Sequence, residues 1–370
     1  MQTIITNVTV HTGKQILKNL PIIIENGRIS TSEPKSDATI IDLNGKHISA
    51  GFIDTHINGG EKLYFTQNAT EETLQDIYES SLKLGTTYVL PTLITSPLEN
   101  ILKGIEATRN FQQKNPYSGV LGMHLEGPFL NLAKRGAHLA AYVRKPSNNE
   151  LEEIIKYGKN VIKLMTIAAE NFTTEQVEML LESGIKISLG HSNATYKQAQ
   201  KAYSQGITLC THLYNAMTQM GHREPGVVGA TFDNADVYAP IILDGFHCDY
   251  AAARIAYKIK KDKLFLISDA LFVGEKVTHF QWEEFDAYLE NGQYRNSEGN
   301  LAGAAISMGD AVRNAVNHVG ISLEEAIKMA TIRPAKALGM DKGIGQIAEG
   351  FPAKFTIFDE NLTSFEPLIL

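Results

Sequence analysis

Three side chains able to hold a cation stand where apolar runs break. Val120-Leu121-Gly122-Met123 reads as a buried strand that reaches Glu126 just before Gly127-Pro128, which interrupts the ladder and opens a loop. Ile185–Leu189 runs into Gly190-His191, and Ile207–Cys210 runs into Thr211-His212. A lone histidine beside apolar residues is more often a hydrogen-bonded core or rim residue than a ligand. One carboxylate and two imidazoles at three strand ends read differently. Zinc-like divalent ions take such ligands, and a catalytic site leaves one position for water. Glu126, His191 and His212 are far apart in the chain, so their convergence requires a fold that gathers strand ends on one rim.

Other polar positions belong to the same reading. Asp269, in Ser268-Asp269-Ala270, ends another apolar run. As a helix N-cap it would be structural; beside a metal site it is the natural general base. His56 and Asn58 are two apart and face one side of a strand. A His-x-His pair there would bind a second metal, whereas asparagine is a weak ligand, so the pair is ambiguous. His138, Asn215, Arg223 and His247 fall on loops. Singly each reads as a solvated loop residue, but a phosphate would want such an Arg and His, because a guanidinium grips phosphate oxygens bidentately.

The elements that must position these groups follow a repeated strand–helix rhythm. Eight apolar runs end in polar residues, at 51–56, 87–92, 120–126, 161–166, 185–191, 207–212, 238–244 and 264–269. Helical periodicity lies between most of them. Leu74, Ile77, Tyr78 and Leu82 share a face ahead of Gly85, and Thr173-x-x-Gln176 and Ser322-x-x-Glu325 have the form of capping boxes. Eight strands alternating with helices predict an α/β fold of the (β/α)8 type, in which working groups sit at the C-terminal strand ends. An open doubly wound sheet is disfavoured because no Gly-rich phosphate fingerprint follows any strand. Residues 1–49 read instead as a small antiparallel β unit with an Asn26-Gly27 hairpin turn. Residues 345–359 return to β character, and the simplest packing sets them beside the N-terminal strands. Residues 275–300 interrupt the rhythm and read as a β-hairpin inserted after the eighth strand, as a lid or packing element rather than a chemical one.

Composition narrows the class of partner. The 370 residues are 43% hydrophobic and 20% charged, ordinary for a globular protein with a sizeable core. A net charge of −7 gives no basic field for nucleic acid or anionic lipid, so an anionic substrate must be held by a few local cations. Cys210 and Cys248 lie in apolar runs and read as small buried hydrophobes, which fits a reducing compartment. Neither a cationic signal segment nor a run of about 18 apolar residues is visible, so a cytoplasmic enzyme without a membrane span is expected.

Seven segments together carry a specific resemblance. They are Gly51-Phe52-Ile53-Asp54, His124-Leu125-Glu126-Gly127-Pro128, Gly190-His191-Ser192-Asn193-Ala194-Thr195, Thr211 to Met217, Arg223-Glu224-Pro225-Gly226, Asp244-Gly245-Phe246-His247 and Ser268-Asp269-Ala270. In order and over about residues 5 to 360, the chain resembles the N-acetylglucosamine-6-phosphate deacetylases of the amidohydrolase superfamily. The resemblance implies a metal-dependent (β/α)8 barrel over 50–340 and a small β-sandwich built from both chain ends, 1–49 and 341–370. It implies Glu126, His191 and His212 as metal ligands, Asp269 as base and then acid, and His138 as the group polarising the acetamide carbonyl. Ala137, Asn215, Ala216, Arg223, His247 and Leu301-Ala302-Gly303 would line the site for a phosphosugar, with Arg223 reaching across a homodimer interface. The ion would be zinc first, with iron, cobalt or manganese as alternatives, and one per chain rather than two. A second site would pass through His56. Family members commonly carry His-x-His or Gln-x-Asn where this chain has His56 and Asn58, and the stretch 61–65 replaces a more Gly-rich segment.

Overall fold

The computed structural model describes residues 2–274 and 276–370. The expected eight parallel strands are present. They are β1 (Phe52–Ile57), β2 (Thr86–Ile94), β3 (Met123–Glu126), β4 (Ile162–Ile167), β5 (Lys186–Leu189), β6 (Leu209–Cys210), β7 (Ala239–Ile241) and β8 (Leu264–Leu266). β1 to β6 form one curled parallel sheet in sequence order, and β7 pairs with β8. Isolated parallel bridges Leu209–Tyr238 and Ile57–Ala270 join the two groups. Every residue of β1, β2 and β3 is buried. Strands covered on both faces are rich in apolar residues, and the apolar stretches of these three made them visible in the sequence.

Helices follow the strands. Glu71–Lys83 begins at Thr70, whose side chain accepts from the Thr73 N–H, and buries Leu74, Ile77 and Tyr78. It ends before Gly85, whose φ of +81° only glycine adopts freely. Thr173 and Gln176 form the full capping box expected of them. Ser322 accepts from the Glu325 N–H, but the Glu325 carboxylate turns to Lys328 and Arg333, so that box is half made.

Both chain ends meet in two further sheets. One has the order Arg28–Ser30, Ile22–Glu25, Gln2–Thr6, Thr39–Asp42. The other runs Phe365–Ile369, Lys354–Phe358, His47–Ala50, Thr9–His11, Ile16–Lys18. Phe355 pairs with Ala50 and Ile357 with Ile48, so the C-terminal strand lies beside an N-terminal one. Ile5, Val8, Val10, Ile24, Ile48 and Phe355 pack as a separate buried core there.

The segment after β8 departs from the expected hairpin. It is not a hairpin but a four-stranded antiparallel sheet, His279–Trp282, Phe285–Glu290, Gln293–Arg295 and Leu301–Ala304. The outer strand continues into what had read as a separate substrate segment. The first residue of the expected insertion, Glu275, lies outside the described residues.

Candidate active site

Glu126 is the last residue of β3. His191 and His212 each follow a strand by two residues, and Asp269 follows β8 by three. His191, His212 and Asp269 have φ of 46°, 28° and 48°. Non-glycine residues seldom sit in this left-handed region, and such strain concentrates at working sites. Here it ends each strand abruptly and turns the side chain into the mouth of the sheet.

The side chains converge. Glu126 Oε1 lies 3.2 Å from His191 Nε2 and 3.1 Å from His212 Nε2, and those two nitrogens are 3.0 Å apart. All three residues are buried. His191 Nδ1 faces the Lys134 carbonyl at 2.9 Å. A carbonyl only accepts, so Nδ1 carries the proton and Nε2 presents a lone pair. Two imidazole nitrogens and a carboxylate oxygen converging this closely repel one another unless a cation or a shared proton sits among them. Ligands at about 2.0–2.1 Å around a tetrahedral ion would be about 3.3 Å apart. Donor chemistry and spacing therefore both fit one divalent ion, and the carbonyl behind His191 is the support such ligands ordinarily have.

A second layer fixes the rest. His56 Nε2 lies 3.4 Å from Glu126 Oε2 and 3.2 Å from Asp269 Oδ1. Burial opposes a charge on His56, but the carboxylates of Asp269 and Glu126 outweigh it and carry its pKa up to about 9. Burial likewise works against a charged Glu126, yet the neighbouring His56 holds it well below the usual carboxylate range. Asn58 Nδ2 donates to Asp269 Oδ1 at 3.0 Å. His138 Nε2 approaches Glu126 Oε2 at 3.4 Å, and its Nδ1 meets Thr95 Oγ1 at 2.8 Å. Asp54 ties β1 to the end of β8 by accepting from the Ser268 hydroxyl and, at 3.3 Å, from the Ser268 N–H. His124, although two residues from Glu126, points elsewhere. Its nitrogens meet Thr92 and Thr166, and burial drives its pKa well down, so it is neutral.

Asn58, Glu126, His138, His191, His212 and Asp269 line one cavity of about 510 Å³ with Ala137, Asn215, Ala216, His247, Leu301, Ala302 and Gly303. Nearly all the expected site residues are thus brought together. His56 sits directly beneath, between the two carboxylates. His247 is held by Asp244, with Nδ1 to Oδ2 at 2.6 Å. Arg223 is the exception: it is exposed and does not line the cavity of its own chain. Sequence reasoning missed Thr95 and Lys134, which carry no signal in a β run or a loop. It also missed Phe285, Arg295 and Asn300, which the inserted sheet contributes to the cavity. That insertion is part of the wall, not only packing.

The amidohydrolase family pattern matches residues 47–368. The chain belongs to the amidohydrolase family. This family is metal-dependent, in keeping with the buried Glu126, His191 and His212 cluster. The N-acetylglucosamine-6-phosphate deacetylase of Haemophilus influenzae is 37% identical over 369 residues, 98% of this chain and 96% of its own. The N-acetylgalactosamine-6-phosphate deacetylase of Shewanella sp. is 37% identical over 333 residues, 90% and 84% of the two chains. Among solved structures, the N-acetylglucosamine-6-phosphate deacetylase from Pasteurella multocida superposes with a TM-score of 0.95 at 36% identity, covering 100% of this chain and 98% of that one.

Proposed function

We propose that this protein hydrolyses the acetamide of N-acetylglucosamine 6-phosphate, giving glucosamine 6-phosphate and acetate. The observation that carries the reading is the convergence of Glu126, His191 and His212 with Asp269 and His138 on one cavity, in a chain so similar to deacetylases of that phosphosugar. Glu126, His191 and His212 hold one divalent ion, zinc before iron, cobalt or manganese. An ion of this kind polarises an amide carbonyl and lowers the pKa of water towards about 7. Asp269, oriented by Asn58, takes the proton of the attacking water and passes it to the amine nitrogen, which cannot leave as an anion. His138 donates from Nε2 to the carbonyl oxygen as charge develops there. Asn58, a weak metal ligand whose Nδ2 already donates to Asp269, supports one ion per chain rather than two.

His247, Asn215, Ala216, Ala137 and the 301–303 segment take the sugar phosphate, whose binding energy positions the acetamide. Arg223 serves the pocket of the neighbouring subunit in a homodimer. Its exposure and that of nearby Met220, 63% exposed, support this. Residues 50–340 close as a (β/α)8 barrel, supported by the two bridges between the parallel sheets, and 1–49 with 341–370 form the sandwich. The buried free thiols of Cys210 and Cys248 support a cytoplasmic setting. Among the described residues no helix is long and apolar enough to cross a membrane.

The test is acetate release together with metal analysis, on protein purified without added metal. About one ion per chain with chelator-sensitive release of acetate is the expected result; bound metal without acetate release overturns the substrate. The Shewanella relative favours a second reading, N-acetylgalactosamine 6-phosphate, at equal identity. Comparing kcat/KM for the two epimers decides between them.

A further inference from the structure

The inserted sheet brings a cation into the cavity that nothing described so far uses. Arg295 lies on the strand Gln293–Arg295 and pairs across to Leu301, whose strand forms the cavity wall. Arg295 is half-buried and is one of the residues that line the cavity. Nη1 donates to the Gly299 carbonyl at 3.1 Å and Nη2 to Gln293 Oε1 at 3.3 Å. Both partners are neutral. Five N–H groups radiate from a guanidinium, so three remain for a ligand.

Three acids of the inserted segment are occupied elsewhere. Glu298 takes Arg135 in a two-pronged pair, both contacts at 2.7 Å, and accepts from Asn300. Asp286 accepts from the Ser297 N–H, and Glu283 from the Tyr142 hydroxyl. The Arg135 and Tyr142 contacts also clamp the sheet to the loop that carries His138. Arg295 is therefore held in place over the cavity by two neutral acceptors, without a counter-ion among the described residues. The neighbouring basic residues differ: His247 is bonded through Nδ1 to Asp244, Lys134 lines the cavity from the loop that carries His138, and Arg223 stands outside its own chain's cavity. A half-buried guanidinium without an anion is an electrostatic cost that an anionic ligand offsets.

We infer that Arg295 grips the phosphate of the sugar phosphate within its own chain, and so sets the preference for phosphorylated over neutral acetamido sugars. The inference rests on the proposed deacetylase reading.

The experiment measures kcat and KM of wild type, Arg295→Gln and Arg295→Lys on N-acetylglucosamine 6-phosphate and on N-acetylglucosamine. It adds calorimetric binding of glucosamine 6-phosphate to each. Loss of a charge-assisted contact predicts a KM for the phosphosugar raised about 10- to 100-fold in Arg295→Gln, with kcat nearly unchanged and product binding weakened equally. Activity on the neutral sugar stays as it is, so the ratio of the two specificities collapses, and Arg295→Lys restores part of it. Equal effects on both sugars, or unchanged KM and product affinity, overturn the inference. If wild type releases no acetate from the phosphosugar, the deacetylase reading fails. The product-binding comparison then still judges Arg295 as a phosphate grip.

Discussion

Thr95→Val isolates how His138 is prepared for its role. The Thr95 hydroxyl has one proton and two candidate acceptors, His138 Nδ1 at 2.8 Å and the Glu126 carbonyl at 3.4 Å. The shorter contact is the stronger. On the other edge of the ring, Nε2 faces Glu126 Oε2, which accepts. Both contacts select the same tautomer, with the proton on Nε2 and the lone pair on Nδ1 towards Thr95. That tautomer is the one able to donate to an acetamide oxygen. Valine keeps the shape of threonine and removes the donor. The buried Nδ1 is then unpaired, which costs about 1–3 kcal/mol, or the ring flips its tautomer and loses the Nε2 donor. Either route weakens an interaction made mainly in the transition state. The expected result is a kcat about 10- to 100-fold lower at unchanged KM, with full metal content. Steady-state kinetics on the phosphosugar with metal analysis checks it. Unchanged kcat would refute the tautomer argument. A raised KM with unchanged kcat would mean that Thr95 shapes binding instead.

Asp269→Asn should abolish turnover while metal content stays at wild-type level. Asn tolerates the left-handed backbone that Asp269 adopts, and its amide oxygen still accepts from Asn58, so only the base is lost; near-wild-type kcat would reject the assignment. Chelator treatment should remove activity and lower Tm in a calorimetric scan, and added zinc should restore both, because the ion binds the folded chain preferentially. In the five-stranded sheet that joins the chain ends, His11 is buried against His47, with Nε2 to Nδ1 at 2.9 Å. Burial, then the neighbouring His47, push its pKa down to about 4 from 6.5. The unfolded chain therefore binds the proton more readily, so stability is intact above about pH 6.5 and falls towards pH 4, by up to about 3 kcal/mol. Denaturant titrations of wild type and His11→Gln across that window should show a shallower pH slope in the variant; parallel slopes would exclude His11 as the source.

The cluster of Glu126, His191 and His212 was legible because each member stands at an abrupt change of character. A strand buried on both faces is mostly apolar, so a carboxylate or imidazole where the run breaks is conspicuous. The convergence of Glu126, His191 and His212 followed once strands and helices alternated. The supporting layer was not legible in the same way. Thr95 looks like any β-branched residue of a strand end, and the Lys134 group that fixes His191 is a backbone carbonyl, which every residue has. Arg223 was readable as a phosphate residue by type, but its place outside its own chain's cavity is not encoded in its neighbours. The inserted sheet was hardest. Its alternation divides Gln293, Tyr294 and Arg295 between two faces, yet which face covers a cavity depends on docking, not on period. Here docking is set by Arg135 with Glu298 and by Tyr142 with Glu283, pairs 163 and 141 residues apart in sequence. Breaking the first pair with Glu298→Gln should therefore loosen the sheet over the cavity and raise KM for the phosphosugar without touching metal content. The same change made at Asp286, which bonds only within the sheet, should leave KM where it is.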